Sequence, residues 1–176
     1  MLTALARTMP DMPPESWWLA AAVLLLLGVA SVIDARTARV PDSIIFPGLL
    51  ITTAAQGFLV DWPFAARQLT IALAAGFLPY LVNLLWYRWR KRDALGMGDA
   101  KWTMLAVDCF GPLPALVAWF LGAWLALGWM GTLYCARALR AREGGIRIQH
   151  RPVAHIHFAP FLLIGLMGGI YWLRWR

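Results

Sequence analysis

DAKWTMLAVDCF, residues 99–110, is apolar enough to enter a membrane and too short to cross one comfortably. At about 1.5 Å per helical residue, a hydrocarbon core about 30 Å thick asks for roughly 20 residues. Whether this segment crosses decides how many spans the chain has and on which side each loop lies. What precedes it sharpens the question. ALGMG, residues 94–98, places two glycines directly before the ionisable Asp99, at the mouth of a hydrophobic helix.

The composition expects lipid around the chain. Of 176 residues, 61% are hydrophobic and only 14% charged, well below the charged quarter, roughly, of a soluble domain. Mean hydropathy is +0.62. The net charge of +7 would suggest nucleic acid if Lys and Arg decorated a soluble fold. Here they stand in short clusters between apolar runs, as in the cytoplasmic loops of membrane proteins. Membrane lipid is therefore the expected surrounding, and no nucleic-acid partner is expected. Two cysteines, Cys109 and Cys135, are too few for a disulfide framework or a zinc cluster. Residues 1–16 hold one Arg, three prolines and two acids and lead to no small-residue cleavage site. They read as a short external tail, and residues 17–176 as one membrane domain.

Five longer apolar runs, 17–33, 43–60, 68–87, 115–136 and 153–173, are natural spans. The basic residues decide the fate of 99–110. If it crosses, all of the 16 basic residues except Arg7, Arg67, Arg174 and Arg176 fall on one side. If it does not, the cluster at 137–151 lies opposite the cluster at 88–92, against the positive-inside tendency. The reading is an all-α, six-helix transmembrane bundle with both termini outside. Its short fourth helix is surrounded by protein and need not match the bilayer thickness.

This topology has a chemical consequence. Asp34 ends the first span and Asp99 begins the fourth, so two carboxylates distant in sequence reach the same depth on the cytoplasmic side. Ionisable groups at such depths usually face a bundle interior or a watery cavity. Two close carboxylates repel, so one tends to keep a proton while the other ionises. Aspartyl proteolysis needs that division of roles. Gly96 and Gly98 free the backbone and remove side chains where another backbone must come close.

GMGDAK, residues 96–101, resembles the GxGD-Lys motif of type IV prepilin peptidases, aspartic proteases of the bacterial inner membrane. DARTARVPD, residues 34–42, is similar to the family's other signature, an Asp followed seven residues later by Pro and then Asp or Asn. HFAPFLLIG, residues 157–165, resembles the family's "PFAPFL" opening of the last span. The three motifs stand in the family's order and cover roughly residues 17–173. The resemblance implies Asp34 and Asp99 as the catalytic pair, and Gly96, Gly98 and Lys101 as substrate-binding or motif-support residues. It implies prepilin or pseudopilin precursors as substrates, cut after a basic leader at the cytoplasmic face while the apolar helix stays in the bilayer. No metal or organic cofactor is implied. With no four-cysteine methyltransferase region before the first span, the chain resembles the short, peptidase-only form. His157, Trp102 and Cys109 depart from the family's usual residues, which bears on substrate choice and not on the aspartates.

The remaining polar residues have plainer readings. Asp42 is expected to cap the second span, and Asp108 to meet water at the outer end of the fourth. Lys101, two positions from Asp99, shares no helix face with it and is placed to hold a partner helix or a substrate carbonyl. His150, His155 and His157 lack a fourth ligand and are not expected to form a metal site. Tryptophans such as Trp17, Trp18, Trp62, Trp86, Trp89, Trp172 and Trp175 sit near span ends as an interfacial belt. Cys109 and Cys135 fall at opposite membrane faces, too far apart for the roughly 7 Å limit of a disulfide. Two rival readings are a small proton-coupled transporter and a non-catalytic subunit of a pilus or secretion machine. The first would want its acids near the midplane and an internal repeat; neither is present. A presenilin-type GxGD protease would carry a Pro-Ala-Leu motif, and the sequence has none.

Overall fold

The structure, a computed structural model, describes residues 17–37, 39–91, 96–144 and 158–174. They form six helices: α1 (Trp17–Thr37), α2 (Asp42–Leu59), α3 (Trp62–Arg90), α4 (Met97–Phe110), α5 (Pro112–Gly144) and α6 (Ala159–Arg174). There is no strand among the described residues. The all-α bundle matches the sequence expectation. Residues 1–16, including the proposed external tail, lie outside the described residues, as do the three histidines and Trp175.

Trp17–Thr37, Asp42–Leu59, Trp62–Arg90 and the Pro112–Ala136 part of α5 are long and apolar enough to cross a membrane. α4, at 14 residues, spans only about 21 Å. It packs against every other helix of the bundle. Of its residues, Trp102, Leu105 and Ala106 are fully buried, and Val107, Cys109 and Phe110 nearly so. A helix wrapped in protein has its polar groups satisfied by neighbours and not by lipid headgroups, so it can be short. The expectation that protein surrounds 99–110 holds.

Side chains bind α4 to its neighbours in two layers. Trp102 donates its indole N–H to Ser31 Oγ on α1 at 3.3 Å, and that hydroxyl lies within reach of the Leu27 carbonyl at 2.7 Å and the Ala159 carbonyl of α6 at 3.3 Å. Trp119 on α5 donates to Thr103 Oγ1 at 2.8 Å, and Thr103 donates to the Asp99 carbonyl at 2.7 Å. Around these bonds pack Leu27, Ala30, Ile45, Leu105, Phe110, Ala118, Leu162 and Leu166. α5 and α6 meet through small residues. A Cβ on Gly165 would stand 2.5 Å from the Ala118 carbonyl oxygen, and one on Gly122 would stand 3.1 Å from that of Phe161. Close backbone approach of this kind is how apolar helices associate where lipid removes any hydrophobic drive.

Several boundaries differ from the sequence reading by a few residues, and α5 runs on to Gly144 instead of 136. α3 begins at Trp62, not 68, because Asp61 caps it: its carboxylate accepts the Phe64 N–H at 2.6 Å, and Pro63 suits the first turn. At the other end α3 runs to Arg90, where Lys91 takes a left-handed conformation at φ 55° and returns its N–H to the Tyr87 carbonyl. α6 is helical from Ala159, with 153–157 outside the described residues. Cys109 is buried, Cys135 exposed, and both are free thiols.

Asp108 is a further correction. It does not meet water but is fully buried, with Thr53 Oγ1 donating to its carboxylate at 3.3 and 3.4 Å. Its backbone carbonyl explains why α2 is close. The residue four positions on is Pro112, which has no N–H to close the helical bond. Gln56 on α2 supplies the missing donor, its Nε2 standing 2.6 Å from that oxygen.

Replacing Gln56 by Leu should leave this buried carbonyl without a donor, at a cost of about 1–3 kcal/mol. Thermal unfolding of the detergent-solubilised protein should show a lowered Tm. Leu50→Ala, at an exposed position on the same helix, should leave it nearly unchanged.

Candidate active site

At the end of the bundle where α1 stops and α2 and α4 start, a cavity of about 570 Å³ opens among Asp34, Asp42, Asp99 and Lys101. Four chain segments build it. The last turn of α1 carries Ile33, Asp34 and Thr37, and the link to α2 carries Arg39, Val40 and Pro41. The start of α4 supplies Gly96 to Asp99, and Phe158 closes one side from the residue before α6.

Asp34 lies in the final turn of α1 with 8% of its surface exposed. Beyond it, Thr37 Oγ1 sits 2.9 Å from the Ile33 carbonyl and 3.3 Å from that of Arg39. The hydroxyl thereby ties the outgoing link to the helix end. Pro41 is the N-cap of α2 in an extended conformation, its carbonyl accepting the N–H groups of Ile44 and Ile45. Asp99 is the third residue of α4, half-buried, behind an N-cap supplied by Gly96. The Gly96 carbonyl accepts the Asp99 N–H at 3.1 Å. Asp34 and Asp99 line the same cavity and lie within electrostatic reach of each other. The topology had placed them at one depth; the structure brings them to one site.

The two glycines have distinct reasons. A Cβ on Gly98 would stand 2.7 Å from Val40 Cγ2 and 3.2 Å from Val40 Cβ. Its absence lets the link between α1 and α2 lie directly on the first turn of α4. A Cβ on Gly96 would stand 2.8 Å from Asp99 Oδ2, so any side chain there would displace that carboxylate. At Gly98 the close approach that a missing side chain permits is made by the protein's own chain.

Lys101 and Asp42 are joined, Nζ to Oδ1, at 2.5 Å. Of the two roles foreseen for Lys101, it takes that of holding a partner helix. Asp42 is not the cap expected from sequence: Pro41 occupies that position, α2 has no side-chain cap bond, and Asp42 serves the ion pair instead. Asp99 is likewise a first-turn residue and not the N-cap. The pair joins the last residue of one motif to the last residue of the other.

Sequence reasoning missed the layer beneath the carboxylates. Ser31 is one turn before Asp34, and Trp102 is one turn after Asp99. Their hydrogen bond therefore fixes the register of α1 against α4 directly below the two acids. The signal was present in Trp102, an indole in the middle of a short apolar helix, whose N–H needs a partner when buried. Among the described residues no group of three or more His, Cys, Asp or Glu side chains is arranged to hold a metal.

A sequence model of the type IV leader peptidase family matches residues 21–131, well over half of the chain and inclusive of both aspartates. No curated protein and no solved structure matches it.

Gly98→Ala should press a methyl group against Val40 and cost about 1–3 kcal/mol through overpacking. Val40→Ala removes the Cγ2 in conflict and should recover much of that loss in the double variant. Thermal unfolding of the two single variants and the double variant gives the coupling directly.

Proposed function

We propose that this chain, which belongs to the type IV leader peptidase family, is an aspartic endopeptidase acting at the cytoplasmic edge of the bacterial inner membrane. Its substrates are prepilin or pseudopilin-like precursors, from which it removes the basic leader. The family is one of proteases, and the bundle is that of a membrane protein. The observation that carries the finer reading is the shared cavity of Asp34 and Asp99 at the ends of two separate helices.

The chemistry follows from two carboxyl groups in complementary states. The ionised one takes a proton from a water molecule as the water oxygen bonds to the scissile carbonyl carbon. The protonated one gives its proton to the carbonyl oxygen. The tetrahedral intermediate then collapses: the C–N bond breaks, the leaving nitrogen takes the proton that the first carboxylate drew from the water, and the second carboxylate takes back a proton from the gem-diol as the new carboxyl group forms. Gly96 leaves the Asp99 carboxylate unobstructed, and Gly98 lets the Asp34 segment close on α4. The Lys101–Asp42 pair holds the two motif segments together. Three carboxylates, Asp34, Asp42 and Asp99, face the cavity against the cations Lys101 and Arg39.

Asn keeps the shape of Asp but cannot exchange a proton at neutral pH. Asp34→Asn and Asp99→Asn should each lower precursor cleavage by roughly a thousandfold or more, and the double variant should fall no further, since residues acting as one unit fail together. The measurement is the mobility shift of precursor to mature pilin in membranes holding matched amounts of each variant. Near wild-type cleavage by either single variant would exclude the paired mechanism.

A further inference from the structure

A second cavity, of about 540 Å³, adjoins the first and shares Met97 and Lys101 with it. Two helix faces form its long walls, and Phe46 of α2 lines it as well. On α4 the lining residues are Met97, Ala100, Lys101 and Met104, and on α3 they include Leu73, Gly76, Phe77 and Tyr80. Each set has the i, i+3, i+4, i+7 spacing of a single helix face. The two faces run side by side for about two turns, or roughly 10 Å. Lys101 apart, the lining carries no charge. Gly76 makes the floor: a Cβ there would collide with the Met104 side chain, which lies across it. Phe77, Leu73 and Tyr80 are each about half exposed, so the groove is open toward the lipid side.

We propose that this groove holds the apolar helix of the precursor, on the membrane side of the scissile bond. The inference rests on the leader-peptidase reading above and adds where the uncut remainder lies. A peptide bond held between Asp34 and Asp99 has the polar cavity on its leader side. The chain on its other side must leave past Met97 and Lys101, the ridge common to both cavities. What it enters there is apolar and faces hydrocarbon, where every backbone N–H and C=O must be satisfied within the segment itself. Only a helix meets that requirement. The Met97 and Met104 side chains, unbranched and adaptable, suit packing against helices of differing sequence. A helix leaving lipid gains no hydrophobic energy, so the groove must hold it by close packing. Filling the groove should therefore weaken binding without touching the chemistry.

Ala74 lines the groove from α3 and is exposed, so Ala74→Trp fills the groove without disturbing buried packing. The expected result is a rise in KM for the full-length precursor of about tenfold, equivalent to about 1.4 kcal/mol, with kcat nearly unchanged. Cleavage of a soluble peptide bearing the leader and scissile bond but no apolar helix should be unaffected. Leu78→Trp, exposed on α3 outside the groove, should alter neither reaction. A benzoylphenylalanine placed at Phe77 should crosslink to the precursor helix, and one at Leu116 on the exposed face of α5 should not. An unchanged KM in Ala74→Trp, an equal loss on the soluble peptide, or crosslinks from position 77 to lipid alone would each overturn the groove assignment. Cleavage of neither substrate by the wild-type protein would instead overturn the peptidase reading beneath it.

Discussion

The burial of α4 is the constraint on which the rest of this structure depends. A 14-residue helix surrounded by lipid would leave its ends in hydrocarbon, with unsatisfied backbone groups costing several kcal/mol each. Surrounded by five other helices, it has partners instead. Ser31, Thr53, Gln56 and Trp119 reach it from α1, α2 and α5. A short helix among longer ones also leaves a recess at its end. The recess beside Met97 is where the two carboxylates meet, so one fact of length both demands the packing and makes room for the site.

Much of this was legible in advance, because the bilayer turns sequence into geometry. Hydrophobic length marked the long helices, and the one-sided clustering of Arg and Lys favoured a reading in which residues 99–110 cross. That reading put Asp34 and Asp99 on one membrane face, and the structure puts them in one cavity. No similar rule governs polar residues inside the bundle. Asp108 was expected in water because it is charged and near a helix end. The structure buries it against α2, where Thr53 bonds its carboxylate and Gln56 closes the backbone carbonyl that the proline of α5 leaves open. Asp42 was expected as a cap from its position alone, whereas its partner, Lys101, comes from another helix. Pairings between distant elements leave no periodic trace in a single sequence.

The motif glycines show the same limit from the other side. That Gly96 and Gly98 permit a close approach was readable from residue type. What approaches was not: one spares the Asp99 carboxylate, and the other admits Val40. The Asp34 motif and the Asp99 motif are thus two halves of one contact, joined by Gly98 to Val40, by Lys101 to Asp42, and by Trp102 to Ser31 one turn below. The same site abuts an apolar groove, with Met97 and Lys101 lining both.

The bond from Gln56 to the Asp108 carbonyl has a bearing on how the length of this helix can change. α4 is held at its far end by Gln56 and Thr53 and at its near end by the contacts around Asp99. One residue inserted between them would turn everything beyond it by about 100°. If the far end kept its partners, Asp99 would point away from Asp34. If the near end kept its place, the open carbonyl would face the wrong helix. The number of residues between Asp99 and Asp108 is therefore set by contacts at both ends of the helix at once.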